Sequence, residues 1–205
     1  MEIRFLRTMS KPYSSETPTS SLKTKIISIY LREKMFEFIS APDVFSHSKI
    51  DKGTQLLVEK MDLTNASRIL DLGCGIGVIG IVAATIISPE GRVVLTDINR
   101  RAINLTKINL KKNDIKNAKV RWGNLYEPLQ EDMFDVIVTN PPISSGMKVV
   151  FQIIEEAPLY LNSHGALQLV IRKGHNTVYK KLNHVFTEVL ELGKKAGYHV
   201  YKALI

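Results

Sequence analysis

The chain has 205 residues, 44% of them hydrophobic and 23% charged, which suits one domain with a single sizeable core rather than two. Its net charge of +8 is compatible with a polyanionic partner such as nucleic acid. A lone cysteine, Cys74, excludes an intramolecular disulfide and a cysteine-rich metal cluster, so a reducing cytoplasm is the expected compartment. No apolar run approaches the roughly 18 residues that a membrane-spanning helix needs.

Taken in chain order, residues 8–21 (TMSKPYSSETPTSS) are rich in Ser, Thr and Pro and read as an irregular lead-in. In KTKIISIYLREKMFEFIS, Ile27, Ile29 and Leu31 alternate, residues 32–34 are charged and turn-like, and Met35 to Ile39 resume extended chemistry, which predicts an N-terminal hairpin. The segment between this hairpin and residue 68 reads as a connector. From residue 68 onward short apolar runs predict strands at 68–72, 92–97, 118–122, 134–139 and 166–171, with helical spacing over 77–87, 100–113 and 147–161. The last stretch, TEVLELGKKAGYHVYKALI, predicts two strands joined by a turn containing glycine. Buried strands alternating with helices imply an α/β, doubly wound, mostly parallel seven-stranded sheet, its edge closed by the antiparallel C-terminal pair. The expectation is a single domain over 1–205, with 1–60 as lead-in and hairpin and 61–205 as the binding and catalytic core.

LDLGCGIGVIG places Asp71 at the end of the strand 68–72, followed by Gly73, Gly75 and Gly77 and then a helix. In an open parallel sheet the ligand sits beyond the carboxyl ends of the strands, and glycines let backbone approach it closely. The stretch also contains G-x-G-x-x-G as Gly75, Gly77 and Gly80, with Asp97 following 22 positions after Gly75, which fits a dinucleotide as well. Asp71 favours a cationic ligand over a pyrophosphate. S-adenosylmethionine, with a sulfonium, an amino-acid head and a ribose, meets that demand: Asp97 can take the ribose hydroxyls, and free N–H groups at the helix start can take the carboxylate. Ile76 and Ile98 belong to the same candidate cofactor walls. Asn124, after the strand 118–122, can present its amide to the adenine, with Trp122 or Leu125 flanking the ring. Against these stand ordinary roles: Asp71 and Asp97 as caps, Asn124 as a turn residue. Cys74 reads as a small filler between glycines. No histidine stands near it in sequence to activate a thiolate.

DVIVTNPPISSG runs a buried strand into Asn140, Pro141 and Pro142 at the same sheet edge as the glycine loop. Two consecutive prolines make a rigid rim whose carbonyls lack helical or ladder partners and can point into the site, beside the amide oxygen of Asn140. Those acceptors suit a planar, conjugated amino group. With one N–H on the Asn140 oxygen and the other on the Pro141 carbonyl, its lone pair turns towards an electrophilic methyl, a catalysis of positioning rather than of strong bases.

DLGCGIGVIG, TDIN and TNPPI resemble the class I S-adenosylmethionine-dependent methyltransferases that carry an Asn-Pro-Pro motif. More closely, DVFSHSKIDKGTQLL (43–57) and NPPISSG are similar to the catalytic domain of the small-subunit ribosomal RNA guanine-N2 methyltransferases, in the single-domain form common in archaea; the likeness covers roughly residues 13–205. The resemblance implies a methyltransferase with RNA as substrate, cofactor contacts at Asp71, Gly73, Gly75, Asp97 and Asn124, and Asn140 with Pro141 holding the target amine. It further implies that Phe45, Asp51 and Thr54 help cover the methionine end of the cofactor. Ile143 departs from the aromatic that often follows the two prolines and stacks on the flipped base.

Basic residues Lys23, Lys25, Arg32 and Lys34, and Lys180, Lys181, Lys194 and Lys195 near the end, can follow phosphates or stay solvated. Two other readings use the same residues: N5-methylation of a protein glutamine, which offers the same conjugated nitrogen, and a nicotinamide-binding oxidoreductase. The five histidines (47, 164, 175, 184 and 199) show no metal-ligand spacing, and His175 alone follows a strand closely enough to approach the site.

Overall fold

The computed structural model of the chain describes residues 24–42, 44, 48–87 and 89–205. The lead-in 8–21, Lys23, Phe45 and His47 lie outside the described residues. Strands β1 (Lys25–Leu31) and β2 (Lys34–Ser40) form a separate antiparallel ribbon. Arg32 and Glu33 join them with φ of 47° and 62°, the paired positive values of a type I′ hairpin turn.

The main sheet comprises β3 (Arg68–Leu72), β4 (Arg92–Asp97), β5 (Ala118–Trp122), β6 (Phe134–Thr139), β7 (Leu161–Ile171), β8 (Glu188–Lys195) and β9 (Tyr198–Leu204). Its order is β5-β4-β3-β6-β7-β9-β8. The first five strands are parallel, and β9 and β8 complete the edge antiparallel, as the sequence predicts. Order reverses between β3 and its neighbours β4 and β6, the position at which open α/β sheets place a ligand.

Alternate residues of the central strands feed two separate cores, the reason these runs are apolar throughout. Ile69 of β3 and Val93 and Leu95 of β4 face one way, towards α1 (Lys52–Lys60), α2 (Val78–Ile86), α3 (Arg100–Lys112) and the hairpin. Leu70, Leu72 and Val94 face α4 (Met147–Glu156) and α5 (His175–Val185) on the other side.

The hairpin is fastened by α3. Asn109, fully buried, accepts the Ile39 N–H at 2.7 Å and donates to Ile39 O at 3.0 Å and Ile76 O at 2.9 Å. One amide thereby ties the ribbon to the glycine loop.

Three expectations are corrected. The presumed connector before residue 68 contains α1, started by the Asp51 carboxylate, which accepts N–H from Gly53 and Thr54. Its far end is docked by Gln168 of β7, which accepts from the Asp62 N–H at 2.9 Å and donates to the Asp62 carbonyl at 2.6 Å. Helix α5, with only Val178 and Leu182 buried, is absent from the sequence expectation, because two apolar anchors in eleven residues make a weak period. Helical geometry after 147 ends at Glu156 and tightens to a 3₁₀ turn over Ala157–Tyr160, where Pro158 has no N–H to extend the ladder, and β7 then begins at Leu161.

Candidate active site

A cavity of about 640 Å³ opens beyond the carboxyl ends of β3, β4 and β6. Its walls bring together Gly73, Gly75, Asp97, Ile98, Asn124 and Leu125 from the first half of the sheet. From β6 onward they add Asn140, Pro141, Pro142 and Ile143. Four sequence candidates, Asp71, Ile76, Gly77 and Thr54, are not among its lining residues.

The loop after β3 bends tightly through Gly73, Gly75 and Gly77, with φ of 74°, 57° and 88°. Gly77 also has no room for a side chain: a Cβ there meets Thr106 Cγ2 at 2.9 Å. Gly80 brings α2 close to β4, since a Cβ at that position meets Leu95 Cδ2 at 2.4 Å and Asp71 Oδ2 at 3.0 Å.

Four of the loop's backbone donors are already committed, while no partner is found among the described residues for the N–H groups of Ile76, Val78 and Ile79 at the helix start. Gly73 and Cys74 N–H both donate to Thr96 O at 2.9 Å, Gly77 N–H to Cys74 O at 2.8 Å, and Gly75 N–H to Asp97 Oδ2 at 2.8 Å. A turn this tight closes on itself and on β4, so it offers a fixed surface rather than an anion cradle at those four positions.

The two strand-end carboxylates differ sharply. Asp97 lines the cavity; its Oδ1 accepts the Asn99 N–H at 2.8 Å while Oδ2 holds Gly75, and burial raises its pKa above the ordinary carboxyl value. Asp71 is fully buried beneath the loop. Its Oδ2 accepts the Gly80 N–H at 2.8 Å, and its Oδ1 has no partner among the described residues. Burial first, with the nearby Asp97 charge adding to it against the Gly80 hydrogen bond, lifts Asp71 from 3.8 to about 7. The Cys74 thiol is likewise pushed up by burial and lies against Thr106, a packed filler rather than a nucleophile.

Beyond β5, Asn124 is exposed at the cavity wall beside Leu125. Trp122 lines an adjoining recess of about 190 Å³ instead, with its indole N–H donating to Ile98 O at 2.8 Å and the Arg100 guanidinium 3.7 Å from its ring centre.

The proline rim is more closed than the sequence suggests. Pro142, at φ −76° and ψ 83°, makes an inverse γ-turn in which Ile143 N–H donates to Pro141 O at 2.9 Å, and Ser145 N–H donates to Pro142 O at 2.9 Å. Each carbonyl therefore keeps one lone pair rather than two. Asn140 donates its amide N–H groups to Thr54 Oγ1 at 2.8 Å and to Asp51 Oδ2, itself on the cavity wall, at 3.2 Å.

Sequence reasoning missed Arg172, Lys173 and Tyr198, which enter the wall from the far side of the sheet. The turn at 196–197 predicts the strand that begins with Tyr198 but not what its first side chain faces. His175 stacks on His199 at 4.0 Å and is not among the lining residues. Of the candidate phosphate followers, Arg32 donates instead to Val58 O and Met61 O at the end of α1, and Lys181 pairs with Glu155. Among the described residues no group of three or more His, Cys, Asp or Glu side chains is placed to hold a metal ion, and no helix is long and apolar enough to cross a membrane.

A doubly wound sheet with a glycine loop, a carboxylate after its second core strand and an Asn-Pro-Pro rim on one cavity defines a Rossmann-like methyltransferase domain. The chain belongs to the methyltransferase small domain family, whose model matches residues 35–202. It is 36% identical over 199 residues to uncharacterized protein YbxB of Bacillus subtilis (strain 168), covering 95% of this chain and 98% of that protein. It is 36% identical over 168 residues to ribosomal RNA small subunit methyltransferase C of Hamiltonella defensa, covering 80% of this chain and 49% of that protein. Among solved structures, the T. thermophilus 16S rRNA N2 methyltransferase RsmC, in complex with AdoMet and guanosine, superposes with a TM-score of 0.78 at 26% identity, over 92% of this chain and 52% of that one. The chain thus spans about half the length of these ribosomal RNA methyltransferases and nearly all of YbxB.

Proposed function

We propose that this chain methylates the exocyclic N2 amine of a guanine base in RNA, ribosomal RNA first, with S-adenosylmethionine as methyl donor. The carrying observation is that Asn140 shares one cavity with Asp97 and the glycine loop, its amide nitrogen committed to Thr54 and Asp51 and its oxygen left without a partner among the described residues. The family, the names of the ribosomal RNA relatives and the net charge of +8 support the same reading.

The residues present fit the donor. A cavity of about 640 Å³ lies within the ~300–1,000 Å³ usual for small-molecule sites. Asp97 keeps lone pairs on both oxygens for ribose hydroxyls, and Asn124 and Leu125 suit the adenine. When bound, S-adenosylmethionine supplies a methyl group made electrophilic by its sulfonium.

A guanine N2 is a weak nucleophile because its lone pair is delocalised into the ring. The Asn140 amide oxygen accepts one of its hydrogens, and the remaining lone pair of the Pro141 carbonyl accepts the other. Held so, the nitrogen is drawn towards tetrahedral geometry with its lone pair aimed into the cavity, and positioning of this kind is worth ~7–11 kcal/mol. The nitrogen becomes acidic as it is alkylated, so its proton can leave to water and no side-chain base is required. Ile143 covers the purine with an aliphatic face.

The test is transfer of labelled methyl from S-adenosylmethionine into total RNA and total protein from a strain lacking the gene, followed by digestion. Label in N2-methylguanosine is expected. Label in methylglutamine transfers the same chemistry to a protein substrate and overturns the RNA assignment.

A further inference from the structure

Asn140 is held by two side chains of one segment far away in the chain. Its amide nitrogen donates to Thr54 Oγ1 at 2.8 Å and to Asp51 Oδ2 at 3.2 Å, across 86 and 89 residues. Asp51 Oδ2 also accepts the first N–H groups of α1, from Gly53 at 2.8 Å and Thr54 at 3.1 Å, while Asp51 Oδ1 accepts the Tyr198 hydroxyl at 3.2 Å. Tyr198 reaches this position because residue 53 is glycine: a Cβ there falls 2.7 Å from Tyr198 Cε1 and 2.8 Å from Asp51 Oδ2. The start of α1, the end of β6 and the start of β9 therefore meet at one carboxylate.

A carboxamide can sit in either of two flipped orientations, and its neighbours decide which. Here Asp51 presents an acceptor to Asn140. The reverse orientation sets the Asn140 oxygen against that carboxylate and leaves two N–H donors facing the cavity. A target amine has only donors to offer, so the flipped side chain repels it. Thr54, 6% exposed, takes the second amide hydrogen and fixes the plane of the group as well as its direction.

We infer that Asp51, Thr54 and Tyr198 are positioning residues, which fix the Asn140 carboxamide with its oxygen towards the target amine. The inference rests on the function proposed above for what the oxygen receives. It gives Asp51 and Thr54 a task beside that of covering the methionine end of the cofactor, since Asp51 also lines the cavity. Asp51 works as a bifunctional cap, starting α1 and orienting Asn140 with the same oxygen, so the register of that helix and the geometry of the acceptor are coupled.

The test uses the full chain, ¹⁵N-labelled, with Thr54→Val, Thr54→Ser and Asn140→Ala. The Asn140 side-chain NH₂ pair, identified by its disappearance in Asn140→Ala, is expected to exchange slowly with solvent in the parent and in Thr54→Ser, and fast in Thr54→Val. With S-adenosylmethionine and an unmodified small-subunit ribosomal RNA transcript, Thr54→Val is expected to lower kcat about tenfold or more at unchanged RNA KM, and Thr54→Ser to restore it. Adding Thr54→Val to Asn140→Ala is expected to cost nothing further. An Asn140 NH₂ pair that exchanges freely in the parent overturns the inference, as does Thr54→Val with parental kcat or an additive double variant. Slow exchange in a parent protein that methylates no RNA supports the held amide and overturns the proposed function instead.

Discussion

The two halves of the cavity are built in opposite ways. The half that suits the cofactor comes from one continuous stretch, Gly73 to Leu125, in which the N–H groups of Gly73, Cys74, Gly75, Gly77 and Asn99 are satisfied internally by Thr96, Cys74 and Asp97. The half that suits the substrate is assembled from Asp51, Asn140, Arg172 and Tyr198, on elements that are neighbours only in space. A loop closed by its own hydrogen bonds is preorganised and depends little on the rest of the fold. An acceptor aimed by remote side chains depends on α1, β6 and β9 all being in register, so the two halves are expected to fail separately.

The largest effect is expected at Asn140. Asn140→Ala removes the acceptor and is expected to lower methyl transfer by about 100-fold or more, the scale seen when one preorganised polar group is deleted, with little change in the thermal midpoint. A variant that still turns over at the parental rate breaks the assignment of the substrate half.

Asp71 offers the sharpest test of the other half. Its folded pKa of about 7 lies above its ordinary 3.8, so the folded protein holds a proton that the unfolded chain releases. The contribution of Asp71 to the stability of the ligand-free protein is therefore full below about 4 and is lost as pH rises through about 7, by a few kcal/mol in all. Asp71→Asn keeps an acceptor for the Gly80 N–H and carries no titrating group. Its melting temperature, followed by calorimetry from pH 4 to 8, is expected to fall less steeply than that of the parent and to exceed it at pH 8.

Gly80→Ala places a methyl group 2.4 Å from Leu95 Cδ2 and beside Asp71. Overpacking of this kind costs about 2 kcal/mol, which urea unfolding will register as a lower midpoint at unchanged slope. Smallest is Ile143→Tyr, which restores a stacking face on the substrate side. It is expected to tighten RNA binding by about fivefold, the low end of base stacking at ~1 kcal/mol, without changing cofactor affinity.

The same contrast explains what could be read from the sequence. Strands β3, β4 and β6 are bounded as the apolar runs predict, because a parallel strand buried on both faces has a nearly unmixed composition, and the edge strand β5, with no residue fully buried, is bounded as predicted too. The glycine loop, Asp97 and Asn140 are legible because their chemistry needs fixed residue types at fixed spacing along one strand end. Tyr198, Arg172 and the role of Asp51 are not, since their meaning lies in contacts across as many as 147 residues. Helix α1 has a readable cap in Asp51 followed by Gly53 and Thr54, but its nine residues carry too short a period to stand out. The committed donors of the glycine loop were invisible for another reason: the motif specifies a tight turn, and only the position of Thr96 O shows which N–H groups that turn leaves free.

The central claim is that one cavity holds two ligands on separable walls, and a calorimetric titration of S-adenosylmethionine into Asn140→Ala and Asp97→Ala tests it most directly. Asn140→Ala is expected to bind within a few-fold of the parent, while Asp97→Ala weakens binding about tenfold or more, the loss of ~1.4 kcal/mol that one charge-assisted hydrogen bond carries. Equal loss in both variants, or loss confined to Asn140→Ala, contradicts the division and places the amide among the groups that hold the donor.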